Sequence, residues 1–304
     1  MTGKSPKNLA ASVRQRLMNI ARAEGTDFQY LLTRYGLERL LYRLSKSPYA
    51  DRFVLKGAML FQLWTAAPYR PTRDLDLLAT GTPSPSDFEE VFHNVCRHEV
   101  EDDGLTFDVQ GIRAEAIKEE DEYQGIRIRG GATLGNIRIP LQVDIGFGDA
   151  VTPRPLEIEY PTLLAFPAPK LLAYNRETVV AEKFQAMVFL GMANSRMKDF
   201  FDVWSLAREF EFAGPALAEA IAATFQRRRT SIPDALPIAL SDGFALDSQK
   251  NTQWHAFLRK GNLAEAPLPQ VVALVRQFLM APLEALRSDD PFSLHWKPGG
   301  PWRK

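Results

Sequence analysis

Asp74 and Asp76 stand two apart in Asp74-Leu75-Asp76-Leu77-Leu78, where acid and apolar residues alternate as they do along a strand. Carboxylates at i and i+2 of a strand project from one face, close enough to share one divalent cation or to hold two adjacent ones. Without a cation the like charges repel and push one carboxyl pKa up. A surface pair of aspartates in a turn is the commoner origin of such a spacing, so the pair gains weight only from its surroundings. Gln142-Val143-Asp144-Ile145 supplies a third acid, between two β-branched residues in a stretch that reads as a buried strand. An aspartate buried there costs several kcal/mol unless it is paired or metal-bound. Lys56-Gly57-Ala58 ends a short apolar strand and opens a helical run, a place where backbone N–H groups approach a phosphate without interference from a Cβ. Lys183 lies between Val179 and Met187 at i−4 and i+4, on an apolar helix face where an ammonium needs an anion; a nearby acid serves as well as a ligand. Asp199 and Asp202 follow one helical turn apart, with Lys198 placed to pair with Asp202 at i+4.

The elements that must position these groups follow from periodicity. Leu9, Val13, Leu17 and Ile20 predict a first amphipathic helix, and Asp27 to Leu44 a second that ends before Pro48. Phe53 to Ala58 reads as a strand reaching a glycine, Met59 to Trp64 as a helix, and Pro68 to Thr72 as a break. Further strands are expected at 107–110, 126–129, 137–139 and 141–145, with turns at Gly130-Gly131 and Gly135-Asn136. Five prolines between Thr152 and Pro169 exclude a regular helix and suggest the domain junction. Helices are then expected at about 177–192, 197–209, 215–226 and 268–286, and an irregular tail over 287–304. The expectation is an α+β chain: a mixed sheet with flanking helices over 1–155, then a mainly helical domain over 156–304.

Composition narrows the function classes. With 37 Lys plus Arg against 37 Asp plus Glu the net charge is zero, so nothing global marks a nucleic-acid coat or a membrane-surface protein, and any basic site is local. The acid-free stretch Lys4, Lys7, Arg14, Arg16, Arg22 is the clearest local bias, and Arg227-Arg228-Arg229 the next; a solvated helix face or a charged helix end is the commoner explanation of each. The single cysteine, Cys96, excludes an internal disulfide framework and fits a reducing compartment. No apolar run approaches a membrane span and the N-terminus has no apolar leader, so a soluble cytoplasmic protein is expected. His93 and His98 do not match a zinc spacing.

A glycine-bearing turn, a DxD on the next strand and a third acid on a later strand resemble the nucleotidyltransferase fold of the DNA polymerase β superfamily. Glu177-Thr178-Val179-Val180-Ala181-Glu182-Lys183-Phe184 and Arg196-Met197-Lys198-Asp199-Phe200-Phe201-Asp202 sharpen this. Together with Leu55 to Leu60 and Thr72 to Leu77 they resemble, in order, four motifs of the AbiEii/AbiGii toxin family, over about residues 50–205. Tyr160 to Phe166 also looks like the family's passage into its helical half. The resemblance implies transfer of NMP from an NTP with Mg²⁺ or Mn²⁺ held by Asp74, Asp76 and Asp144. It implies Asp74, Asp76, Lys183 and Asp199 as catalytic residues, and Lys56, Gly57, Ala58, Arg73, Lys183 and Lys198 around the nucleotide. Ala58 departs from the glycine or serine usual in the turn, which removes a hydroxyl contact to phosphate, and the family's third acid is variable. Relatives act as toxins of type IV toxin–antitoxin systems, some adding nucleotides to tRNA 3′ ends, so an RNA acceptor and an antitoxin encoded alongside are the implied partners. The alternatives are transfer to a small molecule or a protein side chain, and a non-catalytic nucleotide- or RNA-binding protein of the same fold.

Overall fold

The computed structural model describes residues 8–65, 70–118, 124–288 and 291–304. Lys4 and Lys7 of the basic stretch and Pro68 of the expected break lie outside them. The chain forms two compact units, one of residues 1–148 and 156–173, the other of 149–155 and 174–304.

In the first unit the strands are β1 (Phe53–Lys56), β2 (Leu75–Ala79), β3 (Leu105–Phe107), β4 (Arg113–Lys118), β5 (Gln124–Leu134), β6 (Ile137–Phe147), β7 (Leu156–Glu159) and β8 (Lys170–Ala173). Among the described residues they make one mixed sheet in the order β3-β5-β6-β2-β1-β8-β7, with β4 also on β5. β2 runs parallel to β6 and β1 parallel to β8; the other pairs are antiparallel. Helices α1 (Leu9–Glu24), α2 (Phe28–Lys46), α3 (Phe61–Trp64) and α4 (Pro85–Arg97) complete the unit.

Alternation explains the layering. Phe53, Leu55, Leu75, Leu77, Ile126, Ile128, Val143 and Ile145 are buried on one face, where Phe88 of α4 packs edge-on to Phe53 and Phe147 and Gly36 of α2 lies against Leu141. Burying each such side chain contributes roughly 1.5–3 kcal/mol. The residues between them, Lys56, Asp76, Asp144 and Arg127, fall on the other face. The sheet core is thus what orients the polar row.

Three expectations about this unit change. Gly130-Gly131 is not a turn: β5 runs through it for 11 residues. Pro140 does not divide β6, because it sits opposite Gly131 on a stretch that β2, paired only with residues 143–147, does not reach. The expected strand at 107–110 ends at Phe107 and passes into a 3₁₀ turn at Val109–Gly111. The Gly135-Asn136 turn forms between β5 and β6, with Gly135 at a φ of +60°.

The proline-rich connector does not carry the chain straight into the helical unit. It first returns to the sheet as β7 and β8, so a single cut at 155 does not describe the chain. Two side chains of α2 and one of the connector hold the return. Leu163 N–H donates to Glu38 at 2.7 Å, Arg39 donates to the Pro167 carbonyl at 2.8 Å, and Tyr160 donates to the Met59 carbonyl at 3.3 Å. Arg39 and Arg43 also share the buried Asp103, at 3.1 and 2.6 Å.

The second unit comprises α5 (Arg176–Leu190), α6 (Met197–Glu209), β9 (Phe212–Ala213), α7 (Gly214–Arg227), α8 (Asp242–Ala245), α9 (Ser248–Gly261), α10 (Leu268–Ser288), β10 (His295–Trp296) and β11 (Trp302–Arg303). Asn175 caps α5 by accepting from Thr178 N–H at 2.8 Å. Phe184 of α5 packs on Phe225 of α7, and Phe200 of α6 stacks on Phe244 of α8. The tail is not irregular. β10 pairs with β9 and β11, Trp296 is fully buried and donates to the Ala207 carbonyl at 2.6 Å, and Trp302 stacks on Phe278.

Candidate metal centre and the acid–base cluster of the helical unit

Asp76 and Asp144 are direct partners in the parallel pairing of β2 and β6, and both lie on the polar face. The row extends in register across five strands: Lys56 on β1, Asp76 on β2, Asp144 on β6, Arg127 on β5 and Glu115 on β4. Asp74, one residue before β2, joins the same face, and carboxylate oxygens of Asp74, Asp76 and Asp144 all lie within 4.8 Å of one another. Three half-buried acids at that separation repel unless cations sit among them. The donor set is all oxygen, the chemistry that Mg²⁺, Mn²⁺ or Ca²⁺ prefers, so the residues fit a hard divalent cation.

Each acid is aimed by its neighbours. Thr72 Oγ1 donates to Asp74 Oδ1 in a short hydrogen bond. Gly57 follows β1 with a φ of +76°, and a Cβ there would fall 1.9 Å from Asp76 Oδ2. Glycine is therefore required twice, by its backbone angle and by the carboxylate lying against it. Asp144 receives the Arg127 guanidinium as a fork, Nε to Oδ1 and Nη2 to Oδ2 both at 2.8 Å, and Gln142 Nε2 approaches the two oxygens at 3.3 and 3.2 Å. The partner that a buried Asp144 needs is thus a protein cation across the strand. Nothing in the local sequence around Asp144 names Arg127; its signal is only a charged residue between Ile126 and Ile128 in an apolar strand.

The other expected nucleotide contacts of this unit are Lys56, Gly57, Ala58 and Arg73. Lys56 is half-buried opposite Asp76, Ala58 is buried and Arg73 is exposed.

In the second unit Lys183 of α5 and Asp199 of α6 do come together, Nζ to Oδ1 at 2.7 Å. The same ammonium reaches Asp202 Oδ2 at 2.8 Å, and Arg196 Nε reaches the other oxygen of Asp199 at 2.7 Å. Both aspartates are fully buried and Lys183 is 13% exposed. Burial alone would raise the Asp199 carboxyl, but the charges of Lys183 and Arg196 outweigh it and hold the carboxyl below its ordinary value. Asp202 takes Lys183 rather than Lys198, because α6 turns Asp202 into the interior and leaves Lys198 exposed. Arg196 gained no role of its own from spacing, because it precedes the helix and its reach to Asp199 depends on how the chain enters α6.

One arginine of each basic stretch is engaged within its own unit. Arg228 pairs with Asp149 at 3.0 Å and Glu182 at 3.4 Å and donates to Gln185 at 3.0 Å. Burial disfavours its charge, yet Glu182 and Asp149 hold the guanidinium firmly protonated. Arg16 lies half-buried with its guanidinium 5.4 Å from the Phe166 ring, while Arg14 and Arg22 are exposed. Burial pushes the Cys96 thiol up to about 12, which leaves it a poor nucleophile. Among the described residues no helix is long and apolar enough to cross a membrane.

Comparison with solved structures finds JHP933 from Helicobacter pylori, at 16% identity and a TM-score of 0.45 over 86% of this chain and 98% of that one. A second H. pylori structure, described as a candidate nucleotidyltransferase, matches at 16% identity and a TM-score of 0.45 over 84% of this chain and 97% of that one. No curated protein sequence matches the chain. The family model described as "Nucleotidyl transferase AbiEii toxin, Type IV TA system" matches residues 39–278, a span that takes in the carboxylate row on the sheet and the Lys183–Asp199 cluster alike. Matched over that length, the chain belongs to the AbiEii nucleotidyl transferase toxins of type IV toxin–antitoxin systems.

Proposed function

We propose that this nucleotidyltransferase toxin transfers NMP from an NTP to a hydroxyl of RNA, the 3′ end of a tRNA being the acceptor we favour, with a divalent cation held by Asp74, Asp76 and Asp144. Family membership implies a nucleotide substrate and a cognate antitoxin. The observation that carries the metal and the reaction type is the convergence of three carboxylates within 4.8 Å on a sheet face, with Gly57 against one of them. When bound, the cation supplies charge stabilisation to the transferring phosphoryl group and the departing pyrophosphate. The acceptor oxygen bonds to the α-phosphorus, the bond from that phosphorus to the pyrophosphate oxygen breaks, and the hydroxyl loses its proton.

The chain's own residues orient this exchange. Thr72 steers Asp74, Gly57 gives room to Asp76 and opens the backbone beside it, and Lys56 brings positive charge to the same row. Asp144 is the carboxylate assigned to the acceptor side, where it would receive the hydroxyl proton. Lys183 and Asp199 are assigned to phosphate recognition. For Lys183 that role brings a phosphate to an ammonium that two aspartates already share.

The test is incubation of the full chain with each α-labelled NTP in turn, with and without total RNA, in Mg²⁺. Label in small RNA, lost on chelation, is the expected result. Label on protein or on a small molecule, with none in RNA, would replace the acceptor. No labelled product with any nucleotide would overturn the activity.

A further inference from the structure

Asp144 is expected to be a metal ligand, yet its lone pairs are occupied. A carboxylate accepts about four hydrogen bonds. Arg127 fills two of these positions at 2.8 Å in the fork geometry that is among the strong hydrogen-bonded pairings of a carboxylate, and Gln142 lies at 3.2 and 3.3 Å from the same oxygens. Asp74 is not held this way: Thr72 supplies a neutral hydroxyl there. A cation entering beside Asp144 therefore meets the guanidinium at hydrogen-bond distance and has to displace at least one N–H, whereas at Asp74 the Arg127 charge acts only from farther away, with no N–H to displace. Glu115, opposite Arg127 on β4, does not draw the guanidinium away, because Glu115 pairs with Arg129 at 2.7 Å.

We propose that Arg127 is a positioning residue that keeps Asp144 out of the metal site of the nucleotide-free protein, so that Asp74 and Asp76 take the first divalent cation and Asp144 joins only when Arg127 releases it. This rests on the reading that the three aspartates form a metal site, and it adds an order of occupancy to that reading. Arg127 neutralises Asp144 in the meantime, which offsets the repulsion among three neighbouring acids. The side chains of Arg127 and Asp144 are 28% and 13% exposed, so the fork lies where water reaches it and its opening costs less than that of a fully buried pair. The physical consequence is a site that does not assemble fully until a further ligand, such as the triphosphate, competes for the guanidinium.

The experiment is equilibrium Mn²⁺ binding to the full chain without nucleotide, with free ion counted by electron paramagnetic resonance. The variants are Arg127→Gln, Asp144→Asn, the double variant and Asp76→Asn, each checked for folding by thermal unfolding. Arg127→Gln should bind Mn²⁺ at least tenfold more tightly, or bind one ion more, because Asp144 becomes available. Asp144→Asn should stay within about threefold of the parent, and the double variant should match Asp144→Asn, since the gain needs the carboxylate. Arg127→Lys, whose single ammonium cannot fork both oxygens, should fall between parent and Arg127→Gln; it serves if the glutamine variant fails to fold. Equal binding by the parent and by folded Arg127 variants overturns the proposal. So does a loss in Asp144→Asn as large as that in Asp76→Asn, which would make Asp144 a ligand with Arg127 in place. Unchanged binding in Asp76→Asn overturns the metal reading itself, and this inference with it.

Discussion

At the scale of single residues the chemistry depends on placements of a few tenths of an ångström. Asp76 contributes a carboxylate to the triad without filling the core, so Asp76→Asn should abolish nucleotide transfer while the melting temperature stays within a few degrees of the parent. Full activity in that variant would remove Asp76 from the site. Gly57→Ala is the complementary change: it leaves every acid in the sequence but drives a Cβ to 1.9 Å from Asp76 Oδ2 and demands a positive φ of an alanine. The backbone term alone costs roughly 1–2 kcal/mol. Both stability and Mn²⁺ binding should fall, and a variant with parental Mn²⁺ affinity would show that Asp76 can move aside without consequence.

Between elements the two clusters make opposite demands. The α5–α6 cluster is closed, with two buried aspartates shared between Lys183 and Arg196. Removing one partner of a buried ion pair costs about 3–5 kcal/mol because the other charge is left uncompensated. Lys183→Ala should therefore lose stability of that order, read by denaturant unfolding, besides any loss of nucleotide affinity. Triphosphate binding by the folded Lys183→Ala protein separates the two roles, because parental affinity without the charge would confine Lys183 to its structural pair. On α2, Glu38 sits under the loop it holds through Leu163 N–H, and burial raises its carboxyl from 4.5 to about 7. The folded state then keeps a proton that the unfolded state releases, so this group lowers stability as pH rises from about 4.5 to about 7, and its penalty is complete above that. Melting temperatures between pH 5 and pH 8 should fall more steeply for the parent than for Glu38→Gln. Parallel curves would show that Glu38 is ionised throughout.

Over the whole molecule, zero net charge means that the proposed RNA contact would fall to exposed local groups. Arg16 is committed to Phe166 and Arg228 to Asp149 and Glu182, so Arg14 and Arg22 are the described members of the N-terminal stretch placed to touch phosphate. Reversing both to Glu should flatten the slope of log K against log salt for single-stranded RNA by at least about 1.4, from about 0.7 for each lost contact. An unchanged slope would make α1 a solvated face. The tail beyond residue 278, where the family match ends, completes the second unit through Trp296 and Trp302. Trp296→Ala should cost about 3–5 kcal/mol of unfolding free energy. A loss under about 1 kcal/mol would show that the small sheet of β9, β10 and β11 is peripheral.

The features legible in the sequence alone were those carried by local spacing. Asp74 and Asp76 share a strand face because a strand has a period of two, Lys183 and Asp199 lie on helices expected at 177–192 and 197–209, and the order of four motifs pointed to the family. The groups that complete each cluster come from elsewhere in the chain. Arg127 meets Asp144 only through the β5–β6 register, and Lys183 is claimed by Asp202 through the packing of α5 on α6, which outweighs the local i+4 option of Lys198. The return of residues 156–173 to the sheet and the ordering of the tail were also hidden. Prolines and short polar runs announce irregular backbone, whereas β8 on β1 and Trp296 under Ala207 are fixed by partners more than 80 residues away. Sequence periodicity reports which face of an element is apolar; which charge meets which depends on register and burial, and those exist only once the chain has closed on itself.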